Sequence, residues 1–465
     1  MNSLKFGTSG LRGLAVELEG QAARRYAAAF FAHLSRTGAI GSGAVYLARD
    51  FRPSSAAILR DCAMAAEAAG LVPVDCGALP TPALALHAMA ASCPAIMVTG
   101  SHIPADRNGL KFYRPDGEIS KADEAGILAA LSAAAIDTRE VRLRDEHGQA
   151  EERYIARFAH LLPRGALAGL RIGLFEHSTV ARDILRRALG HFGAVVVPLG
   201  RTETFVPVDT EAFADTVFAP LRGWLAEHRL DAIVSSDGDG DRPLLMDGSG
   251  DFVRGDVLGL LTARYLGACS VVTPVTSNSA IERTGLFAEV IRTRVGSPYV
   301  VAELDQATGP AVGFEANGGT LVGRGVSANG AVLAPLETRD AVLPLLAVLG
   351  LAAREGVPVA RLVAGLPLQQ ALADRLQDVP SAKSGVFLKR LVDEPGYAET
   401  LFGEQGIASV SQIDGVQFRT DSGDMVHFRA SGNAPELRCY VEGSTAEVAA
   451  ELLAWGMAVA AREVR

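Results

Sequence analysis

Short apolar runs, each followed by a polar loop and a helical pattern, recur along about the first 300 residues. The clearest unit has a strand ending at Arg49, a helix over 54–69 and a second strand over 72–76. The same order of strand, helix, glycine and strand returns over 170–200 and, in a shorter version, over 268–296. This repeated unit predicts three α/β domains, each with a mostly parallel sheet.

The pattern changes after about residue 370. Apolar and polar residues alternate over 416–430, with Ser422 and Gly423 at a predicted hairpin turn, and 437–443 predicts another strand. An alanine-rich helical pattern ends the chain. These elements predict a smaller α+β domain at the C-terminus.

The expected fold class is therefore α/β, with three similar domains whose sheets are mixed or parallel, plus a smaller C-terminal α+β domain. The charged stretch 137–153 is taken as the first domain boundary. The predicted domains are 1–145, 150–253, 254–368 and 369–465.

Length and charge narrow the class of protein. The 465 residues suit three or four domains. The formal net charge of -9 argues against a general nucleic-acid binder, although it is compatible with a small cationic pocket.

The N-terminus has no apolar signal core, and the longest apolar run, 341–353, is too short to span a bilayer and contains Pro344. Five scattered cysteines without CxxC spacing indicate neither a disulfide framework nor a zinc site. We expect a cytoplasmic protein that binds no membrane.

The first candidate site follows a short apolar strand over 95–98. A strand there would deliver Ser101 and His102 to the carboxyl edge of a sheet, where open α/β sheets bind ligands, so the Ser101 hydroxyl is a candidate nucleophile. A turn at Asn108-Gly109 would bring Lys111 back to the same place. The alternative is an ordinary loop with a solvated serine and histidine.

A second candidate site follows the predicted strand over 231–234. Three aspartates occupy alternate positions there, separated by glycines: Asp237, Asp239 and Asp241. Hard divalent cations such as Mg²⁺ prefer carboxylate oxygens, and three carboxylates this close repel one another unless a cation joins them. An EF-hand loop would need glycine and glutamate where Arg242 and Gly248 stand, so the alternative is a solvated turn.

Two further loops carry groups that suit phosphate. The stretch FGTSGLRG, residues 6–13, can bring backbone NH groups and Arg12 to an anion, although a plain turn is the alternative. The stretch 428–438 has guanidinium, hydroxyl and exposed NH groups in a predicted tight turn: Arg429, Ser431, Gly432, Asn433 and Arg438.

The loop GFEANGG, residues 313–319, places Glu315 and Asn317 on a glycine-flanked turn. Such side chains suit hydrogen bonds to vicinal hydroxyls, and the alternative is a loop with a solvated acid.

Taken in order, these motifs resemble those of the α-D-phosphohexomutase superfamily, which includes phosphomannomutases, phosphoglucomutases and phosphoglucosamine mutases. The resemblance covers nearly the whole chain and rests on FGTSGLRG, RDFRPSS, TGSHIPADRNGLKFY, DGDGDRPLLMD, GFEANGG, LETRDAVL and RASGNAPELR. It implies a four-domain enzyme with its active site in a central cleft, to which each domain supplies one loop.

The resemblance also implies a role for each candidate residue. Ser101 would be the phosphorylated serine beside His102, and one Mg²⁺ per chain would be held by the three aspartates and the Ser101 phosphate. Arg242 would help to hold that phosphate, Lys111 would act as general acid or base, and Arg12 would be an active-site arginine of the N-terminal loop. The remaining candidates would bind substrate. Glu315 and Asn317 would contact the sugar hydroxyls. The non-reacting phosphate would be bound by Arg429, Ser431, Gly432, Asn433 and Arg438.

The reaction that this resemblance implies interconverts a hexose 6-phosphate and a hexose 1-phosphate through phosphoserine, with a hexose 1,6-bisphosphate as intermediate. The expected partners are hexose phosphates, without nucleic acid, and the chain would be a monomer or homodimer. The sequence departs from the resembled motifs at Ile103, Asn317, Gly319, Ser297 and Asn433, which bears on the choice of sugar. Mannose phosphates are expected, with glucose or glucosamine phosphates as alternatives and a sugar phosphatase or a non-catalytic sensor as the other classes.

Overall fold

The computed structural model describes residues 3–7, 10–132, 136–137, 140–213, 216–432 and 435–464. Within these ranges the strands form four main sheets and one two-stranded ribbon. Three of the main sheets are mixed and the last is antiparallel, as the expected fold class requires.

The first sheet has the strand order β1-β2-β6-β5-β3-β4-β8, with β7 paired to β6. Its parallel part contains the predicted strand-helix-strand unit, in which β3 pairs with β4. The elements are β1 (Lys5–Gly7), β2 (Gly10–Leu14), α1 (Ala15–Leu18), α2 (Gln21–Arg36), β3 (Ala44–Arg49), α3 (Ser55–Ala68), β4 (Val72–Ala78), α4 (Thr81–Ala90), β5 (Ala95–Val98), β6 (Arg107–Arg114), β7 (Gly117–Glu118), α5 (Lys121–Ala130) and β8 (Arg144–Asp145).

Two local predictions in this sheet are wrong. Within the stretch 6–13, the described residues 6–7 and 10–13 belong to two antiparallel strands, β1 and β2, and not to a loop. Asn108 and Gly109 lie inside β6, because Asn108 donates hydrogen bonds to two buried hydroxyls under the sheet and Gly109 lets the carbonyl of Leu11 approach closely. A Cβ at Gly109 would lie 2.4 Å from that oxygen, so close packing explains this glycine. The chain reverses earlier, between β5 and β6.

The stretch 137–153, taken above as a boundary, contains regular structure. It includes β8, which pairs in parallel with β4, and most of α6 (His147–Arg157), which packs against α4 and β4. The buried face of α6 carries Ala150 and Tyr154. The four domain ranges stay a prediction.

The second sheet has the order β10-β9-β11-β12, and the first three strands are parallel. Its elements are β9 (Arg171–Phe175), α7 (Arg182–His191), β10 (Val195–Leu199), a 3₁₀ turn (Thr216–Phe218), α8 (Leu221–Glu227), β11 (Ala232–Ser236) and β12 (Pro243–Asp247).

The third sheet has the order β14-β13-β15-β16-β19, and again the first three strands are parallel. Its elements and the adjoining ribbon are α9 (Gly255–Tyr265), β13 (Ser270–Pro274), α10 (Ala280–Arg283), β14 (Glu289–Thr293), α11 (Ser297–Leu304), β15 (Ala311–Phe314), β16 (Thr320–Val322), β17 (Ser327–Ala328), β18 (Ala331–Val332), β19 (Leu336–Asp340), α12 (Val342–Glu355) and α13 (Val359–Ala364).

These three sheets share one four-stranded unit: β4-β3-β5-β6, β10-β9-β11-β12 and β14-β13-β15-β16. In each unit the third strand is parallel to its neighbour and the fourth turns back antiparallel to it. The repeat seen in the sequence is therefore a repeat of topology. It places one loop at the carboxyl end of an equivalent strand in each sheet.

The fourth sheet is antiparallel, with the order β20-β24-β23-β22-β21, and it contains the predicted hairpin of β22 and β23. Its elements are β20 (Gln370–Leu376), α14 (Ser381–Asp393), α15 (Tyr397–Phe402), a 3₁₀ turn (Gly403–Gln405), β21 (Ser409–Ser411), β22 (Val416–Arg419), β23 (Met425–Ala430), β24 (Leu437–Gly443) and α16 (Ala446–Val464).

Hydrophobic packing separates the fourth sheet from the others. One continuous cluster of buried side chains runs from the first sheet through the second and third, from Ala44 to Leu362. The fourth sheet, with α14 and α16, has a cluster of its own, from Val379 to Val464. The first three loops therefore stand on a shared core, whereas the last is carried by a separate one. None of the described helices is long and apolar enough to cross a membrane.

Candidate active site

A cleft of about 540 Å³ collects side chains from all four sheets and their loops. The loops between β5 and β6, β11 and β12, and β15 and β16 enter it from equivalent positions in the repeated unit, and the connection between β23 and β24 enters from the last sheet. The predicted site residues that line it are Arg12, His102, Arg242, Glu315, Asn317, Arg429, Ser431, Gly432 and Arg438.

Ser101 lies in the loop after β5 and is only 1% exposed, so the alternative of a solvated serine is wrong. Its backbone has a positive φ of 55°, and its NH donates a 2.8 Å hydrogen bond to the Thr99 hydroxyl. Its own hydroxyl donates to Asp237 Oδ2 at 2.5 Å, and His102 Nδ1 is 3.3 Å from Oγ. The candidate nucleophile thus points directly at the aspartate loop.

Arg52 fixes the Ser101 loop by hydrogen bonds, a role that was not predicted from the sequence. Its buried guanidinium donates hydrogen bonds to the backbone carbonyls of Ser101, Ile103, Pro104 and Arg107, at 3.0, 2.5, 2.6 and 2.9 Å. The signal was present in RDFRPSS, where charged residues follow an apolar strand without an assigned role.

Gly100 and Phe205 complete the support beneath the Ser101 loop. A Cβ at Gly100 would lie 2.6 Å from the guanidinium carbon of Arg52, so only glycine allows this approach. On its other side the Arg52 guanidinium lies 4.2 Å from the ring centroid of Phe205, which belongs to the region of the second sheet. Asp50 Oδ2 accepts from Arg52 Nε at 3.1 Å and balances its charge.

The three aspartates are buried, and one oxygen from each lies within 4.8 Å of the others. Burial, together with Asp239 and Asp241, raises the pKa of Asp237 well above its usual value. Among the described residues, Oδ1 of Asp239 and Oδ1 of Asp241 have no hydrogen-bond partner although they are buried. Buried carboxylate oxygens without partners, gathered in so small a volume, fit a hard divalent cation. The alternative of a solvated turn is wrong.

Lys111 does return to this site, but by the register of β6. Its Nζ donates to Asp239 Oδ2 and to Asp241 Oδ2, each at 2.6 Å. Burial alone would lower the pKa of Lys111, yet the two aspartates raise it above its ordinary value. Lys111 is therefore charged among the carboxylates.

Cations also surround the entrance to the Ser101 loop. Arg12 lies on β2, and burial together with Arg242 and Arg339 lowers its pKa to about 10. Arg242 Nη1 lies 3.4 Å from Glu211 Oε2. Burial and the nearby Arg242 and Arg12 lower the pKa of His102 to about 2, so its imidazole is neutral. Guanidinium groups crowded against one another favour the binding of an anion.

Arg339, on β19, joins two of the loops. Its Nη1 donates to Glu315 Oε2 at 2.6 Å, while its Nε and Nη2 donate to Asp241 Oδ2 at 3.1 and 2.7 Å. Glu315 is 5% exposed, so the alternative of a solvated acid is wrong. Asn317 Oδ1 accepts from the NH of Gly319 at 3.0 Å and stabilises its own turn. Arg339 stands in the quoted motif LETRDAVL, to which the sequence analysis gave no separate role.

Arg429 and Arg438 lie opposite each other on the adjacent strands β23 and β24, beside the loop that joins these strands, and each pairs with an acid. Arg429 Nε donates to Asp414 Oδ2 at 2.5 Å, and Arg438 Nη2 donates to Glu436 Oε2 at 3.0 Å. Asp414 Oδ2 also accepts from the NH of Val295 at 3.0 Å, which links this loop to the third sheet. Asn433, predicted to act here, lies outside the described residues.

Comparisons with known proteins agree with this architecture. Family models for phosphoglucomutase/phosphomannomutase match residues 3–136 as alpha/beta/alpha domain I, 254–369 as alpha/beta/alpha domain III and 358–454 as the C-terminal domain. A phosphomannomutase of Sinorhizobium fredii is 48% identical over 466 residues, which cover 98% of both chains. The chain belongs to the phosphoglucomutase/phosphomannomutase family. The predicted α-D-phosphohexomutase superfamily, fold class and phosphohexomutase activity are confirmed.

Two further relatives and two solved structures extend the comparison. A phosphomannomutase of Salmonella muenchen is 41% identical over 97% of this chain and 94% of its own length. A phosphoglucosamine mutase of Granulibacter bethesdensis is 31% identical over 78% of this chain and 80% of its own length. A phosphoglucomutase/phosphomannomutase family protein of Burkholderia thailandensis has a TM-score of 0.79 at 20% identity, over 98% of both chains. The N-acetylphosphoglucosamine mutase of Aspergillus fumigatus, solved with GlcNAc-6P and magnesium, has a TM-score of 0.60 at 15% identity, over 100% of this chain and 96% of its own. Both structures share the fold.

Proposed function

We propose that this enzyme is a phosphomannomutase, which interconverts mannose 6-phosphate and mannose 1-phosphate through phosphorylated Ser101 and mannose 1,6-bisphosphate. Similarity to two phosphomannomutases over nearly the whole chain, at 48% and 41% identity, supports this choice of sugar. The similar phosphoglucosamine mutases are 28% to 31% identical.

The observation that carries the reaction is the contact between Ser101 and the aspartate loop. Ser101 Oγ is held 2.5 Å from Asp237 by a loop whose carbonyls are fixed by Arg52. In the forward step the bond between phosphorus and Oγ breaks as a sugar hydroxyl forms the new bond to phosphorus. The sugar hydroxyl loses its proton in this step and Oγ gains one. We assign both transfers to Lys111, whose charged ammonium would donate a proton to the departing Oγ and then, as a neutral amine, accept the proton of the sugar hydroxyl. His102, 3.3 Å from Oγ, orients the loop.

The residues that would hold one Mg²⁺ are Asp237, Asp239 and Asp241, together with the Ser101 oxygens. When bound, the ion neutralises charge that develops on the transferring phosphoryl group. Arg12 and Arg242 line the cleft, with Arg242 Nε 4.0 Å from Asp241 Oδ1, and supply further positive charge there.

The part of the cleft that the last sheet forms suits the phosphate that does not react. Arg429, Ser431, Gly432 and Arg438 line it, and we include Asn433 of the same loop. Because the reacting and holding sites are separate, the bisphosphate must turn round before it returns its other phosphate to Ser101. Glu315 and Asn317, which line the cleft, would accept quasi-equivalent sugar hydroxyls in both orientations.

The test is a coupled assay with Mg²⁺ that compares kcat/KM for mannose 1-phosphate, glucose 1-phosphate and glucosamine 1-phosphate. We expect mannose 1-phosphate to give the highest value, and a lead of about tenfold or more for another sugar would overturn the sugar assignment. Phosphate release without isomerised product would favour a phosphatase, and binding without turnover a sensor. Turnover that survives complete removal of divalent cations would contradict the role given to the three aspartates. Monomer or homodimer assembly and a cytoplasmic location stay predictions.

A further inference from the structure

Arg339 connects the loop that carries the aspartates to the loop that carries Glu315. Three of its donors are used in this bridge, two on Asp241 Oδ2 and one on Glu315 Oε2. Arg339 is 3% exposed and lines the cleft. The donors of a planar guanidinium point in fixed directions, so it holds two carboxylates at set angles, whereas the ammonium of lysine rotates freely and sets no such angles.

The backbone on both sides of Arg339 is fixed to other parts of the molecule. Thr338 Oγ1 donates to Glu118 Oε1 of the first sheet at 2.7 Å. Asp340 Oδ1 accepts from the Tyr154 hydroxyl of α6 at 2.7 Å. The base of the Arg339 side chain is thus tied to β7 and to α6 through the residues on either side of it.

Gly319 provides the room that Arg339 needs. A Cβ at this position would lie 2.6 Å from Cδ and 2.8 Å from Cβ of Arg339, which is closer than packed carbon atoms come. The loop 313–319 therefore packs closely around Arg339. Glu315 lies four residues before Gly319 in this loop and accepts a hydrogen bond from Arg339.

We propose that Arg339 is the positioning residue that sets sugar specificity, because it fixes the Glu315 carboxylate relative to the aspartate loop. This inference rests on the proposed mutase function. A carboxylate has acceptor capacity for several hydrogen bonds, so Glu315 can receive sugar hydroxyls while Oε2 is held by Arg339. A sugar that differs in the direction of one hydroxyl then meets a carboxylate that cannot shift to accept it.

The test compares Arg339→Lys with the wild-type enzyme, using mannose 1-phosphate and glucose 1-phosphate as separate substrates. We expect kcat/KM for the preferred sugar to fall by about 10- to 100-fold, and the ratio between the two sugars to move towards one. In a Glu315→Gln background the same substitution should leave the ratio between the sugars unchanged, because the carboxylate through which it acts is absent.

Arg182→Lys is the matched control. Arg182 is buried and donates to the backbone carbonyls of His177 and Thr202, but it does not line the cleft. We expect it to lower the melting temperature without changing the ratio between the sugars.

Gly319→Ala provides a second route if Arg339→Lys does not fold. The added Cβ displaces the Arg339 side chain without removing its charge, and we expect a change of the ratio in the same direction. If wild-type enzyme turns over mannose 1-phosphate while folded Arg339→Lys or Gly319→Ala keeps its ratio between the sugars, the inference is wrong. If the wild-type enzyme turns over no hexose phosphate, the proposed function itself fails.

Discussion

The two ends of the cleft are built differently. At one end, loops from three equivalent hairpins stand on a continuous hydrophobic core, and Ser101, Lys111 and the aspartates are nearly or fully buried. At the other end, the β23–β24 hairpin that carries Arg429 and Arg438 belongs to a sheet with its own core, and the side chain of Arg438 is 34% exposed.

This difference corresponds to two physical tasks. Transfer of a phosphoryl group needs atoms held at fixed distances in a site shielded from water, and buried hydrogen bonds supply that order. Holding a phosphate that must later leave needs positive charge near solvent and no further chemistry. Substitutions at the first end should therefore lower kcat, whereas those at the second should raise KM.

The largest expected effect is that of Ser101→Ala. Without the hydroxyl no phosphoserine forms, so we expect kcat with mannose 1-phosphate to fall by at least about 10⁴-fold. The measurement is the coupled assay, accompanied by mass spectrometry of the intact chain for the phosphate on the wild-type protein.

His102→Gln is a suitable comparison, because it alters the neighbour and keeps the nucleophile. We expect it to retain phosphorylation of Ser101. If Ser101→Ala kept full activity, Ser101 would not be the nucleophile, and this end of the cleft would not be the reacting end.

Much of the first end could be predicted from the sequence because its features are local. Apolar runs followed by glycine-containing polar loops predicted the positions of β5 and β11 and of the loops after them. The aspartate cluster was likewise visible, since alternate carboxylates within five residues are a local pattern.

The supporting arginines could not be predicted, because their partners are distant along the chain. Arg52 contacts a carbonyl 49 residues away, and Arg339 contacts Asp241 across 98 residues. Such pairs depend on how sheets pack against one another, which local periodicity does not report. The same limit made Asn108-Gly109 resemble a turn, because the dipeptide is suited both to turns and to close packing.

The second expected effect, smaller than that of Ser101→Ala, is that of Arg52→Lys. A lysine cannot donate to four carbonyls at once, so carbonyls of the Ser101 loop would lose their buried partner. We expect kcat to fall by about 100-fold with little change in KM, and the free energy of unfolding to fall by about 2–4 kcal/mol. Steady-state kinetics and urea denaturation measure the two effects.

Asp50→Asn distinguishes the charge of the Arg52–Asp50 pair from the four carbonyl contacts of Arg52 as the cause of the effect. It removes the counter-charge of Arg52 and keeps one side-chain oxygen, which can accept from Arg52 Nε. The Ser55 hydroxyl, which donates to the other oxygen of Asp50, would then face the amide nitrogen and could accept from it. Its kcat should fall less than that of Arg52→Lys. Equal losses would mean that the charge of the pair, more than the four carbonyl contacts, holds the loop.

The smallest expected effect is at the other end of the cleft, with Arg438→Gln. The substitution removes one charge-assisted contact to the non-reacting phosphate, so we expect KM for mannose 1-phosphate to rise by about 10- to 100-fold while kcat changes by less than about threefold. Because Arg438 is partly exposed, added salt should raise the KM of the wild-type enzyme more than that of the variant.

Arg375→Gln is the matched control for this prediction, because Arg375 also pairs with Glu436, is 51% exposed in its side chain and does not line the cleft. It should leave KM unchanged. A variant at Arg438 that lowers kcat and leaves KM as it was would mean that this end of the cleft takes part in the chemical step, and the contrast between a rigid reacting end and an open holding end would no longer stand.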